Sequence, residues 1–67
     1  MPTDLDKLRV LVPHWMEHNA EHAEEFRQWA ERARQAGAPE VGDYIVRAAA
    51  AMEQSNQHLR AALAGLG

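Results

Sequence analysis

The chain has 67 residues, no cysteine and a formal charge of −3, which allows one domain whose own core is marginal, because a chain this short buries only about 60% of its unfolded surface. Zero cysteine excludes disulfides, thiolate zinc sites, iron–sulfur clusters and thiol nucleophiles, leaving metal binding through His and carboxylate, self-association, or very close helix packing as sources of stability. A pI near 5.7 argues against nucleic acid as a partner, no apolar run approaches the ~20 residues of a membrane span, and the acidic start through Asp4 and Asp6 is unlike a basic secretory leader; a bacterial-type cytoplasmic protein is expected.

The first predicted element is a helix over about 4–36. Thr3 is its predicted N-cap, with Asp6 three residues on in the capping-box position. Asp4 and Asp6 lie at the positive end of the helix dipole, and Arg32 and Arg34 at the negative end. Pro13 interrupts the pattern, because it has no N–H to donate and biases Val12 away from helical geometry. Two outcomes follow: a kinked continuous helix, or a short separate N-terminal helix. The apolar phase runs through Pro13 unbroken. Leu5, Leu8, Val12, Trp15, Asn19, His22, Phe26, Trp29, Ala33 and Ala36 follow one another at alternating gaps of three and four, which is a heptad seam.

A break follows at Gly37-Ala38, with Gly where a helix ends and Pro39 where the next begins. The second helix is predicted over about 39–65, with Glu40 and Asp43 early and Arg60 late. Val41, Ile45, Ala48, Met52, Ser55, Leu59, Ala62 and Leu66 form its seam. No strand signal is present. An isolated helix gains most of its stability by packing an apolar face, so an all-α antiparallel hairpin is predicted. Folding at Gly37-Ala38 pairs residues whose numbers add to roughly 76. Trp29 then meets Ala48, and Trp15 meets Ala61 and Ala62, so large side chains oppose small ones. Tyr44, Leu11, Met16 and Leu63 widen the apolar stripe beyond what one hairpin covers. A homodimeric four-helix bundle is the expected assembly, with Trp15, Phe26, Trp29, Met52 and Leu59 as core or dimer seam.

One level of the seams is polar. Asn19 and His22 on the first helix and Ser55 on the second occupy seam positions at nearly the same height, flanked by His18, Asn56 and His58. Buried polar groups left unsatisfied cost about 1–3 kcal/mol each, so these must bond one another, water or an ion. His14, His18 and His22 stand at successive i, i+4 spacings, each followed three residues later by Glu17, Glu21 or Glu25. An i, i+4 His pair brings two imidazoles to one point above a helix, and a nearby Glu can ligate or orient a ring. His18, His22 and His58 with Glu25 or Glu21, and His14 beyond them, are the candidate metal ligands. Imidazole with carboxylate suits Zn, Ni, Cu or Fe. The H-E-x-x-H zinc-protease pattern is absent, since Asn19 follows His18. Asn19, Ser55 and Asn56, with His22, also read as a hydrogen-bonded layer that fixes pairing register, as one buried Asn does in a coiled coil.

The stretch Pro13-His14-Trp15-Met16-Glu17-His18-Asn19-Ala20-Glu21-His22-Ala23-Glu24-Glu25-Phe26, followed by Trp29-Ala30, resembles small bacterial and archaeal helical-hairpin domains of unknown function. Those domains share a His-Trp-x-x-His-Asn-x-x-His core and an Ala-rich second helix with an Asn corresponding to Asn56. The resemblance implies that His14, Trp15, His18, Asn19 and His22 act as a unit.

The chain offers no Gly-rich phosphate loop. Its hydroxyls, Thr3, Tyr44 and Ser55, lack an evident cleft and oxyanion donors, so no enzymatic activity is expected. Two functions stay open: a non-enzymatic, self-associating domain that binds a divalent transition metal through its His/Glu cluster, and a dimerisation or protein-interaction module whose polar layer only sets register. A larger protein partner is compatible with either.

Overall fold

The computed structural model describes residues 2–67. It contains α1 (Asp4–Gln35) and α2 (Pro39–Gly65), laid antiparallel in a body 54 × 17 × 11 Å. Among the described residues there is no strand, and no helix is long and apolar enough to cross a membrane.

The ends of α1 are closed by local chemistry. The Asp6 amide donates to Thr3 Oγ1 at 3.2 Å, and the Thr3 amide donates to Asp6 Oδ2 at 3.0 Å, a complete capping box. That backbone donor, helped by the Thr3 hydroxyl and by Arg9, holds the Asp6 carboxyl below its ordinary pKa. At the other end Gly37 takes φ +87°. There its N–H reaches the Arg34 carbonyl at 3.1 Å and the Ala38 N–H reaches the Ala33 carbonyl at 2.8 Å. This is the Schellman pair, and a left-handed residue after the cap is what glycine supplies without strain. Pro39 opens α2 at a position where a missing N–H costs nothing.

α1 passes through Pro13 as a single helix rather than splitting off a short N-terminal one. Its first turns are tied down by a long-range bond. Arg9 donates from Nε and Nη2 to the Leu66 carbonyl at 3.1 and 2.9 Å, and from Nη1 to Asp6 at 2.8 Å. The expectation that Arg60 supplies positive charge to the end of α2 is corrected here. No basic residue lies in the last turn of α2, because Arg60 sits more than a turn too early, and Arg9 reaches across from α1 instead.

The seam between the helices differs from the predicted one in a systematic way. Val12, Asn19, Phe26 and Ala33 of α1, Ile45, Met52 and Leu59 of α2, and Leu66 at its C-cap turn inward as expected. The alternate positions from Trp15 and Val41 onward do not, and near the start of α1 Leu8 is half-buried whereas Leu5 is exposed. Met16, Ala23 and Ala30 turn inward where Trp15, His22 and Trp29 were expected. Likewise Gly42, Ala49, Asn56 and Leu63 replace Val41, Ala48, Ser55 and Ala62. The fully buried positions are small: Ala30 is 1% exposed and Ala49 0%. Trp15 and Trp29 remain 42% and 53% exposed. Close approach explains the choice. A Cβ on Gly42 would lie 2.7 Å from the Ala30 carbonyl oxygen, so the helix axes are too near for indole rings to stand between them. Half of each seam is displaced by one residue, which rotates the contact direction by about 50° from the apolar direction, at 100° per residue.

Candidate functional site

This rotation gives the hairpin two unlike broad sides. On one, the flanking positions are Ala20, Arg27 and Arg34 of α1 with Val46, Glu53 and Arg60 of α2. Ala20, Arg27, Glu53, Asn56 and Arg60 line a shared hollow there, Arg27 pairs with Glu53, and Arg34 meets Asp43 at 2.9 Å. On the other, the flanking positions are Leu8, Trp15, His22 and Trp29 with Val41, Ala48, Ser55 and Ala62. Glu25, Phe26, Trp29, Ile45 and Ala48 line a hollow there, and the Arg32 guanidinium lies 4.7 Å over the Trp29 ring. None of the eight flanking residues is an Asp, Glu, Lys or Arg. Val41 is 53% exposed, and Leu11 and Tyr44 extend the same side outward along each helix.

The polar level is divided between the seam and this open side. In the seam, Asn19 Nδ2 donates to Asn56 Oδ1 at 3.0 Å, and Asn56 Nδ2 donates to the Met16 carbonyl at 2.9 Å. Asn19 also approaches Ser55 Oγ at 3.5 Å. Two amides thus lock α1 and α2 in register at mid-length, with no buried side-chain polar atom unsatisfied among the described residues. His22 does not join that layer inside the hairpin, and Ser55 meets it from the rim, accepting from Asn19. Both are exposed, because the one-residue displacement of the seam turns them onto the open side at the same height.

The histidine row follows α1 outward from there. Ring centroids of His22 and His18 are 6.5 Å apart and nearly parallel, those of His18 and His14 are 4.5 Å apart and edge-on, and His22 lies 6.1 Å from the Phe26 ring. His18 Nδ1 is 4.0 Å from the Glu21 carboxylate. All three His, along with Glu21, Glu25 and His58, are exposed. Among the described residues of one chain, no three His, Asp or Glu side chains stand together as a group able to hold a metal ion. By helical position His18, His22 and Ser55 of the candidate set face this side, while His58, like His14 and Glu21, stands farther out on its helix.

Sequence reasoning did not single out Arg9, Gly42 or the Arg27–Glu53 and Arg34–Asp43 pairs. The pairs had a signal, since opposite charges flank the same side of an antiparallel seam. Gly42 had a weaker one, a glycine inside a strong helical pattern. The Arg9 bond had none in local sequence.

Fold and site together define a two-helix hairpin with one side crossed by ion pairs and one mainly apolar side crossed by imidazoles. The chain belongs to the family described as "Domain of unknown function (DUF8180)", whose model matches residues 8–66. No curated protein and no solved structure matches it.

Proposed function

We propose that this chain is a self-associating module whose working form is a homodimeric four-helix bundle closed over the mainly apolar side. The observation that carries the reading is the rotation between the apolar and the buried stripes. In a two-helix coiled coil the two coincide. In a square bundle each helix has two neighbours, and the core lies about 45° from either contact. The stripe through Trp15, Asn19, His22, Phe26 and Trp29, and the one through Ile45, Ala48, Met52 and Ser55, bisect in this way the α1–α2 contact and an absent neighbour.

Surface area supports the same reading. The hairpin exposes 5069 Å², whereas a compact monomer of 7.5 kDa is expected to expose about 4,200 Å². The excess matches the ~800 Å² that each partner gives to a standard interface. A thickness of 11 Å is a single helix layer, and stable domains pack at least two.

Side-chain volumes favour one arrangement. The open side carries large residues on α1 and small ones on α2, so α1 of one copy packs on α2 of the other, with the two-fold parallel to the helices and both turns at the same end. The layers are then Trp15 with Ala62, His22 with Ser55, and Trp29 with Ala48, each completed by the same pair from the partner.

Sedimentation equilibrium in chelator tests the reading. The expected mass is twice the 7.5 kDa of the chain. Trp29→Glu is expected to weaken association about a hundredfold or more while leaving the helical signal of each hairpin, since an aromatic anchor is lost from both copies and a charge replaces it. A wild-type monomer at hundreds of micromolar, or a Trp29→Glu chain that associates as tightly as wild type, contradicts it.

A further inference from the structure

We infer that the dimer carries two equivalent divalent-metal sites, each built from His18 and His22 of one copy and His58 of the other. The inference rests on the dimer proposed above.

Its ligands come from the observed hairpin. His18 and His22 are one helical turn apart with ring centroids separated by 6.5 Å. Two imidazoles ligating one tetrahedral ion at ~2.1 Å have centroids about 5 Å apart. A small rotamer change in two exposed side chains spans that difference. A pair is not a site, however, and one chain supplies no third ligand to it. His58 lies at the height of His18, on the outer flank of α2, with the helix seam between it and the His18–His22 pair. When α1 packs on the α2 of a second copy at unchanged height, His22 points into the new interface and His18 stands on its outer flank. The partner's His58 stands on that same flank, facing His18. Three imidazoles then meet where a single chain had two.

Charge and second-shell chemistry agree. No Lys or Arg lies between Pro13 and Arg27. Glu21, 4.0 Å from His18 Nδ1, is placed to accept a ring N–H, and water takes the fourth position. A three-imidazole set with water selects borderline ions such as Zn²⁺.

Titration of chelator-treated protein with Zn²⁺ alone tests this, together with a mixing experiment. The expected stoichiometry is one Zn²⁺ per chain. His58→Ala, and the double variant His18→Ala/His22→Ala, are each expected to bind at least about tenfold more weakly than wild type. These positions are exposed, so the helical signal serves as the folding control. Co-refolding the two variants in equal amounts produces mixed dimers in which one full site is rebuilt, His18 and His22 from one chain and His58 from the other. Tight binding is then expected to return at about a quarter of the wild-type capacity, the statistical share of rebuilt sites. No recovery on mixing, or wild-type affinity in His58→Ala, overturns the shared site. A dimer in chelator with no Zn²⁺ binding tighter than millimolar overturns the site and leaves the dimer standing. A monomer in chelator removes the dimer and this site with it.

Discussion

At the scale of single residues, Gly42 sets the geometry of the hairpin. Its missing side chain lets α2 approach the Ala30 carbonyl, and an added Cβ would sit 2.7 Å from that oxygen and 3.0 Å from Arg34 Cγ. Two effects compete in Gly42→Ala. Helix propensity favours alanine by ~0.5–1 kcal/mol. Overpacking against a fixed backbone oxygen costs ~1–3 kcal/mol, since the arginine can swing away but the carbonyl cannot. The substitution is expected to be a net loss of about 1 kcal/mol, read as a lower urea midpoint at fixed protein concentration; a gain would show that the axes separate freely. Gly42 was invisible as a contact in the sequence because close approach depends on which face turns inward. That face is decided by the neighbour, not by the helix itself. The Asn19–Asn56 bond is the opposite case. Its height was legible from the hairpin register, though Asn56 was expected to flank Ser55 rather than replace it in the seam.

At the scale of elements, the ends of the helices were the most legible feature, because caps are local chemistry. Thr3 and Asp6 form the box that their spacing predicted, and Gly37 closes α1 in the left-handed region. The box makes stability depend on pH in a definite direction. Asp6 has its pKa lowered in the folded chain, chiefly by the Thr3 amide, then by the Thr3 hydroxyl and Arg9. Its contribution is therefore present above the ordinary Asp value and lost as pH falls through the lowered one. Wild type is expected to resist urea better than Asp6→Asn at neutral pH. The difference should shrink only below about pH 4, where free Asp begins to protonate. A difference that persists unchanged to about pH 2 would sink the assignment. The seams were half legible. The alternation of three and four gave two helices and their antiparallel register. It named the apolar direction, though, and the α1–α2 contact lies to one side of it. Periodicity reports where apolar groups gather, which in a bundle is the common centre rather than the nearest neighbour.

At the scale of the whole molecule, the same displacement becomes the main argument for what the chain does. A layer 11 Å thick with Trp15, Trp29 and Val41 on one mainly apolar side and ion pairs on the other is what the proposed bundle requires of each half. The width of the apolar stripe is the sequence's argument for partnership. It could not separate residues that close the hairpin from residues left on its open side, because both belong to one heptad pattern. The histidines show the same limit, since their i, i+4 spacing is local while the position of His58 relative to them depends on the assembly. Dipolar distance measurement on a single spin label tests the assembly most directly, and the absence of native cysteine makes Gln35→Cys, at the exposed end of α1, a clean attachment point. With both turns at one end and helix axes 8–10 Å apart, the two labels are expected within about 30 Å of each other. A separation near the 54 Å length of the hairpin, or no dipolar coupling between chains at all, would contradict the account.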